Sequence, residues 1–184
     1  KIKVDGKAVE TPKATAALGY VKMKIGNAES IAVEKASDVT SWGTVYMQYF
    51  QKTSAVSDQG NGISIKREIL NADGKELKVG SRVKVRITVE ADRNLDFVQI
   101  ADKRAACMEP VVQLSGYRNG AYCSPKDNAT YYFIDQLPKG KHVIETEYYI
   151  DRAGVYETGT CTAECAYSPE FKATAKSEQL IVKE

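Results

Sequence analysis

Arg82-Val83-Lys84-Val85-Arg86-Ile87-Thr88-Val89-Glu90-Ala91 places an apolar side chain at every odd position and a polar or charged one at every even position. Ten residues of strict period two describe a β-strand with one face in a core and the other in water. Less regular stretches of the same kind lie on both sides: Ile63–Leu70 before it, then Leu95–Ile100, Thr130–Ile134, Val143–Ile150, Thr160–Tyr167 and Gln179–Val182. Turn chemistry separates them, with Asp73-Gly74, a hairpin-like Asn119-Gly120, Pro138-Lys139-Gly140, and Gly154 after Asp151-Arg152-Ala153. Helix signals are nearly absent. Strands at this spacing predict an all-β chain built as an antiparallel β-sandwich.

Towards the N-terminus the pattern stays β-rich but thins. Ile2–Val4, Asp5-Gly6 and Lys7–Val9 read as a short hairpin, and Leu18–Ile25, Ile31–Glu34 and Gly43–Phe50 as further strands. The polar, glycine-containing stretch Thr53–Gly62 interrupts the pattern, and the domain boundary is expected there. Residues 1–52 are short for an independent sandwich, since sheets that small are marginal without partners. They read as half of something, joined to a larger domain over residues 60–184.

Composition narrows the function classes. Lys+Arg 26 against Asp+Glu 24 gives no reason to expect nucleic acid or an anionic membrane surface as partner. No apolar run approaches the roughly 20 residues that cross a bilayer, so no membrane insertion is expected of this segment. The chain starts at Lys1 without a methionine, a signal peptide or a lipoprotein cysteine, as expected of a piece of a longer exported protein. Four cysteines, Cys107, Cys123, Cys161 and Cys165, suit an oxidising compartment. Cys107 and Cys123 flank a loop-like stretch and form the more plausible bridge. Cys161 and Cys165 lie about 13 Å apart along an extended strand, beyond the roughly 7 Å that a disulfide spans between Cα atoms, unless a bend or bulge intervenes.

No catalytic, cofactor-binding or metal-binding constellation is readable. With no Cys-x2-Cys pair and one histidine, His142, zinc is not expected. A Cys–His catalytic pair is formally open, but an isolated histidine is more often structural. Gly-x-Ser-x-Gly, phosphate-loop, dinucleotide and His-Glu-x-x-His motifs are all missing. Glu90, Asp92, Asp96, Glu145 and Glu147 stand singly on alternating positions, as solvated faces do, rather than as a glycosidase pair. The eleven tyrosines raise a binding hypothesis, because Tyr46 and Tyr49, Tyr131 and Tyr132, and Tyr148 and Tyr149 place rings near both sheet faces. A glycan-binding or purely structural module of an exported surface protein is the alternative, and it predicts a platform of coplanar exposed tyrosines. The simpler reading puts half of each pair in the core.

Five segments in order resemble one family. Trp42-Gly43-Thr44-Val45-Tyr46-Met47-Gln48-Tyr49-Phe50 resembles the Trp-Gly-x-x-Tyr-x-Gln-Tyr-Phe stretch of bacterial α2-macroglobulins. Val79-Gly80-Ser81-Arg82-Val83-Lys84-Val85 is similar to their Val-Gly-Asp-x-Val-x-Val segment, and Asp102-Lys103-Arg104-Ala105 with Glu109-Pro110-Val111 to their Asp-x-Arg-Pro/Ala and Glu-Pro pieces. Phe133-Ile134-Asp135-Gln136-Leu137-Pro138-Lys139-Gly140 resembles Phe-Phe-Asp-x-Leu-Pro-x-Gly, and Gly154 with Ala166-Tyr167-Ser168-Pro169-Glu170 resembles the closing Gly-x-Phe and Met-Tyr-x-Pro-Glu. The resemblance implies that residues 60–184 are the terminal macroglobulin (MG10-like) domain, a fibronectin/immunoglobulin-like sandwich, and residues 1–52 the C-terminal half of a CUB-like β-domain. It implies a non-catalytic portion of an endopeptidase inhibitor of the periplasm or cell envelope, its parent lipid-anchored. Partners would be the parent's thioester-region domain and, through the parent, proteases. Ala166, Tyr167, Arg104 and Glu109 would lie at interdomain contacts. The Cys-x-x-Gln thioester motif itself is missing, and Ala166 stands where relatives carry methionine.

Overall fold

The computed structural model describes residues 1–14, 19–71 and 76–184. The chain divides into two compact units, Lys1–Gln48 and Tyr49–Glu184. In the first, β1 (Ile2–Val4) pairs on one side with β2 (Lys7–Val9) and on the other with β3 (Ile31–Val33), both antiparallel. The hairpin turn closes because Asp5 and Gly6 both take positive φ, 48° and 76°, as a two-residue type I′ turn requires. The Asp5 carboxylate then accepts from the backbone N–H groups of Glu29 (2.9 Å) and Ser30 (2.8 Å), which fixes the start of β3.

Two other expected strands are not formed. Residues 19–25 and 43–50 carry no strand, and Leu18 lies outside the described residues, as does Asp73-Gly74. The stretch around Trp42–Phe50 keeps its apolar pattern with nothing over it: Trp42 is 93% exposed, and Tyr46, Met47, Tyr49 and Phe50 are exposed too. An extended segment becomes a strand only when a neighbour takes up its N–H and C=O groups.

The second unit opens with a 3-10 turn, Thr53–Ala55, followed by β4 (Gln59–Asn61), β5 (Ile63–Asn71), β6 (Leu77–Lys78), β7 (Arg82–Ala91), β8 (Leu95–Lys103), β9 (Met108–Pro110) and β10 (Gly116–Arg118). Then come β11 (Ala121–Pro125), β12 (Ala129–Leu137), β13 (Gly140–Ile150), β14 (Gly154–Glu157), β15 (Cys161–Cys165), β16 (Lys172–Ala175) and β17 (Gln179–Lys183). One sheet runs β10-β11-β12-β8-β15-β16-β4, a second β5-β7-β13-β9, and a small third β14-β17-β6. Among the described residues every pairing is antiparallel except β17 with β6. The Thr53–Gly62 stretch is thus not plain linker, since β4 extends the large sheet through β16.

The alternation of β7 sets the sandwich core. Val83, Val85, Ile87 and Val89 are buried and pack with Val98, Ile100, Tyr132, Ile134, Ile144 and Tyr148 from both large sheets. Burying each aliphatic side chain of this size contributes roughly 1.5–3 kcal/mol. Two of the tyrosine pairs split between core and surface: Tyr132 and Tyr148 are buried, Tyr131 half-buried and Tyr149 exposed. The buried hydroxyls are satisfied, Tyr148 by the Thr130 hydroxyl (2.8 Å) and Tyr132 by that of Thr146 (2.6 Å). Burial holds both phenols well above the ordinary tyrosine range.

One inward position of β5 is charged. Arg67 continues the buried row of Ile63 and Ile65 and is itself buried. Its Nη1 donates to Asp102 Oδ1 (3.2 Å) and the Lys103 carbonyl (3.0 Å). Its Nη2 donates to Thr158 Oγ1 (2.6 Å) and to the carbonyls of Gly159 (2.8 Å) and Lys176 (3.0 Å). One guanidinium thereby ties β5 to the end of β8 and to the loops on either side of β15 and β16. Gly159 is required there: its φ is +70°, and a Cβ on it would stand 2.8 Å from the Lys103 Cβ. Burial pushes the Asp102 carboxyl up to about 6, against the opposing pull of Arg67 and the Cys161 thiol.

All four cysteines are buried free thiols, so the bridge expected between Cys107 and Cys123 is not present in this structure. The two have different surroundings. Cys107 lies by Asp151, whose backbone N–H its carbonyl accepts (2.9 Å), whereas Cys123 sits on β11 opposite Tyr132 and near Arg118. Burial raises both thiols, and raises Cys161 well above the usual range. Cys161 and Cys165 both face inward from the same straight strand.

Three outcomes follow. Arg67→Met leaves three carbonyls and a buried acid without their donor, and is expected to lower the unfolding free energy by roughly 3–5 kcal/mol in urea titrations followed by circular dichroism. Unfolded aspartates titrate near pH ~3.9, so folded Asp102 holds its proton more tightly. Its stabilising contribution is complete below that value and is lost as pH rises through about 6. The stability of the wild type relative to Asp102→Asn should therefore fall across this window; a flat difference refutes the assignment. Finally, denatured but unreduced protein should take up one alkyl group on each of the four cysteines, where a Cys107–Cys123 bridge would leave only Cys161 and Cys165 reactive.

Candidate interdomain contact surface

Of the four residues expected at a contact, Ala166 and Tyr167 lie together. They follow β15 and enter a tight loop closed by Ser168 N–H to the Cys165 carbonyl (3.2 Å) and Phe171 N–H to the Ser168 carbonyl (2.9 Å). The loop is pinned to β8 as well. The Ala166 N–H donates to the Phe97 carbonyl (2.9 Å) and the Cys165 thiol to the Asp96 carbonyl (3.0 Å). Tyr167 is 80% exposed and meets Phe97, 52% exposed, edge to face at 5.3 Å and 87°.

Phe97 is a residue that the sequence reading passed over. Its φ is +55°, a conformation that costs a bulky residue on the order of 1–3 kcal/mol. The backbone reversal breaks alternation on two strands at one level. Leu95 and Val98 are both buried, as are Ile134 and Leu137 across from them, so Asp96-Phe97 and Asp135-Gln136 are left outside as consecutive exposed pairs. The signal was present in the spacing Leu95-x-x-Val98, which no regular strand would produce.

Arg104 and Glu109 lie elsewhere. Arg104 is a staple within the domain: Nε donates to the Met108 carbonyl (3.0 Å) and Nη2 to the carbonyls of Lys126 and Asp127 (2.9 Å for the latter), joining the β8–β9 and β11–β12 connections. It lies seven positions after Phe97, just past the end of β8, roughly 23 Å away in extended chain. Glu109 is on the other sheet, opposite Tyr149. That sheet's outer face is a ladder of ion pairs, including Lys84–Glu145 (3.0 Å) and Arg86–Glu145 (2.8 Å), whose hydrogen bonds hold the Glu145 carboxyl below its usual range. Arg82 lies over the Tyr149 ring. His142 is spent on the Pro138 carbonyl (2.8 Å).

The larger sheet presents a different face. Tyr117, Tyr122, Phe133, Gln99 and Glu164 share one row across β10, β11, β12, β8 and β15. Tyr117 and Tyr122 meet edge on, at 73°, and do not offer the flat platform on which a sugar ring would stack. Beside the row, Gln99, Ala101, Thr162, Glu164 and Ala166 line a shallow hollow.

The family model of the bacterial α2-macroglobulin MG10 domain matches residues 53–170. Salmonella α2-macroglobulin reacted with methylamine is 26% identical, with a TM-score of 0.62, over 71% of this chain and 10% of that one. A point mutant of the Salmonella protein gives 25% identity and a TM-score of 0.64 over the same shares. Native Escherichia coli α2-macroglobulin spanning domain MG7 to the C-terminus has the same fold at 21% identity and a TM-score of 0.61, over 71% of this chain and 25% of that one. The matched region is thus a tenth of the length of the two Salmonella chains. No curated protein matches.

Proposed function

Because the chain belongs to the bacterial α2-macroglobulin family through its MG10 domain, we propose that it is the non-catalytic C-terminal portion of an endopeptidase inhibitor and packs against the parent's thioester-region domain. The observation that carries this reading is Tyr167: a large ring left 80% exposed on a loop that is hydrogen-bonded into place on both sides. A ring ordered in this way but uncovered suits a surface that another domain closes over. The contact centres on Ala166 and Tyr167. Arg104 staples the β8–β9 and β11–β12 connections away from it, and Glu109 lies on the other sheet, whose outer face carries ion pairs.

In the same reading residues 60–184 are the terminal macroglobulin domain and residues 1–52 the returning half of a CUB-like domain. The bare apolar stretch Trp42–Phe50 supports the second assignment, because it has the pattern of a strand buried on both faces and has no sheet around it. The parent is placed in the periplasm or cell envelope as an exported, lipid-anchored protein that engages proteases. Among the described residues no helix is long and apolar enough to cross a membrane. Alanine at 166 lacks the long, adaptable side chain with which methionine could cover a reactive bond. Inhibition by the parent is therefore read as independent of thioester shielding by this residue.

A photo-crosslinking amino acid at position 167 of the full-length parent tests the contact. Crosslinked peptides are expected from the thioester-region domain; crosslinks confined to other regions, or none above background, refute the packing.

A further inference from the structure

Tyr167 does not stand alone. Building on the packing proposed above, we infer that Phe97 and Tyr167 form a single two-ring anchor, with Phe97 as the residue that positions Tyr167 for docking. The rings touch edge to face, and the two residues before Tyr167 are tied to the Asp96–Phe97 backbone: the Ala166 N–H to the Phe97 carbonyl and the Cys165 thiol to the Asp96 carbonyl. Phe97 holds a φ of +55°, which glycine would adopt freely and phenylalanine does not. Phe97 is 52% exposed, so core packing gives little reason for a phenylalanine in that conformation. Its side chain serves the surface.

The occupant of this surface is another domain of the same polypeptide, outside residues 1–184. The Salmonella chains to which the domain is similar are about ten times the matched length, which leaves ample chain to provide it. Charge specifies the partner's chemistry further. Asp96, beside Phe97, and Asp135, across from it on β12, are exposed, and neither is in an ion pair among the described residues. The anchor therefore fits an apolar recess rimmed by lysine or arginine. On the opposite sheet Lys84, Arg86 and Glu145 already pair with one another, and no pair of exposed rings stands beside its carboxylates.

Hydroxyl-radical footprinting of the full-length parent, with the urea-denatured parent as reference for each residue, tests the inference. Phe97 and Tyr167 are both expected to be protected several-fold beyond what exposures of 52% and 80% would give. Phe97→Gly should cut the protection of Tyr167 several-fold without lowering the thermal midpoint, since it relieves the strained backbone, and Phe97→Tyr should restore it. If Tyr167 is protected and Phe97 is not, or if Phe97→Gly leaves Tyr167 protected, the packing stands and the two-ring anchor is wrong. If neither ring is protected, both fall.

Discussion

A single buried guanidinium fixes how the two sheets of the sandwich meet. The apolar rows of β7, β8 and β12 pull the two large sheets together without direction, as hydrophobic burial does. Arg67 adds direction. Its five hydrogen bonds reach Asp102, Lys103, Thr158, Gly159 and Lys176, so strands distant in sequence are held at one level. Lysine could not substitute, because a single ammonium presents no planar fork to acceptors arranged in this way. The same level carries Gly159 against Lys103 and the Cys161 thiol beside Asp102. Packing fills this domain, and the buried charge sets its register.

The two outer faces have opposite characters for a reason rooted in the strands. On the smaller sheet, Lys84 and Arg86 of β7 stand across from Glu147 and Glu145 of β13, and Arg82 reaches Glu147 diagonally; the resulting pairs keep that face wet. The larger sheet carries exposed rings on its outward positions, among them Tyr117, Tyr122, Phe97 and Phe133, beside small and polar residues. Individual ion pairs at such exposure contribute little stability. Their effect is on the character of the face, which stays charged and hydrated while the other carries exposed rings.

Much of this could be read from the residues alone, and where it could not, the cause is physical. The period-two run at Arg82–Ala91 emerged as β7 with the same bounds, because alternation is a local property that survives packing. Type I′ chemistry at Asp5-Gly6 and Asn119-Gly120 was equally local, both residues of each pair having positive φ. Gly43–Phe50 failed as a strand because pairing needs a neighbour that local pattern does not supply. Arg67 was visible as a charge in an apolar row, Ile63-x-Ile65-x-Arg67-x-Ile69, but its acceptors come from segments up to 109 residues away. Phe97 hid in a broken alternation. The cysteines were harder still, since sequence spacing does not say which thiols share a neighbourhood, and the fold gives Cys107 and Cys123 different ones.

Those thiols give the folding of this chain a clock. Once folded, all four cysteines are buried, none more than 4% exposed, and burial favours the unreactive protonated form of Cys107, Cys123 and Cys161. Before folding, all four are available to any oxidant, and four cysteines can be joined in three ways. The folded chain contains none of those links, all four cysteines being buried free thiols. In an oxidising compartment, collapse of the sandwich must therefore outrun disulfide formation, and the chain's vulnerability is confined to that interval.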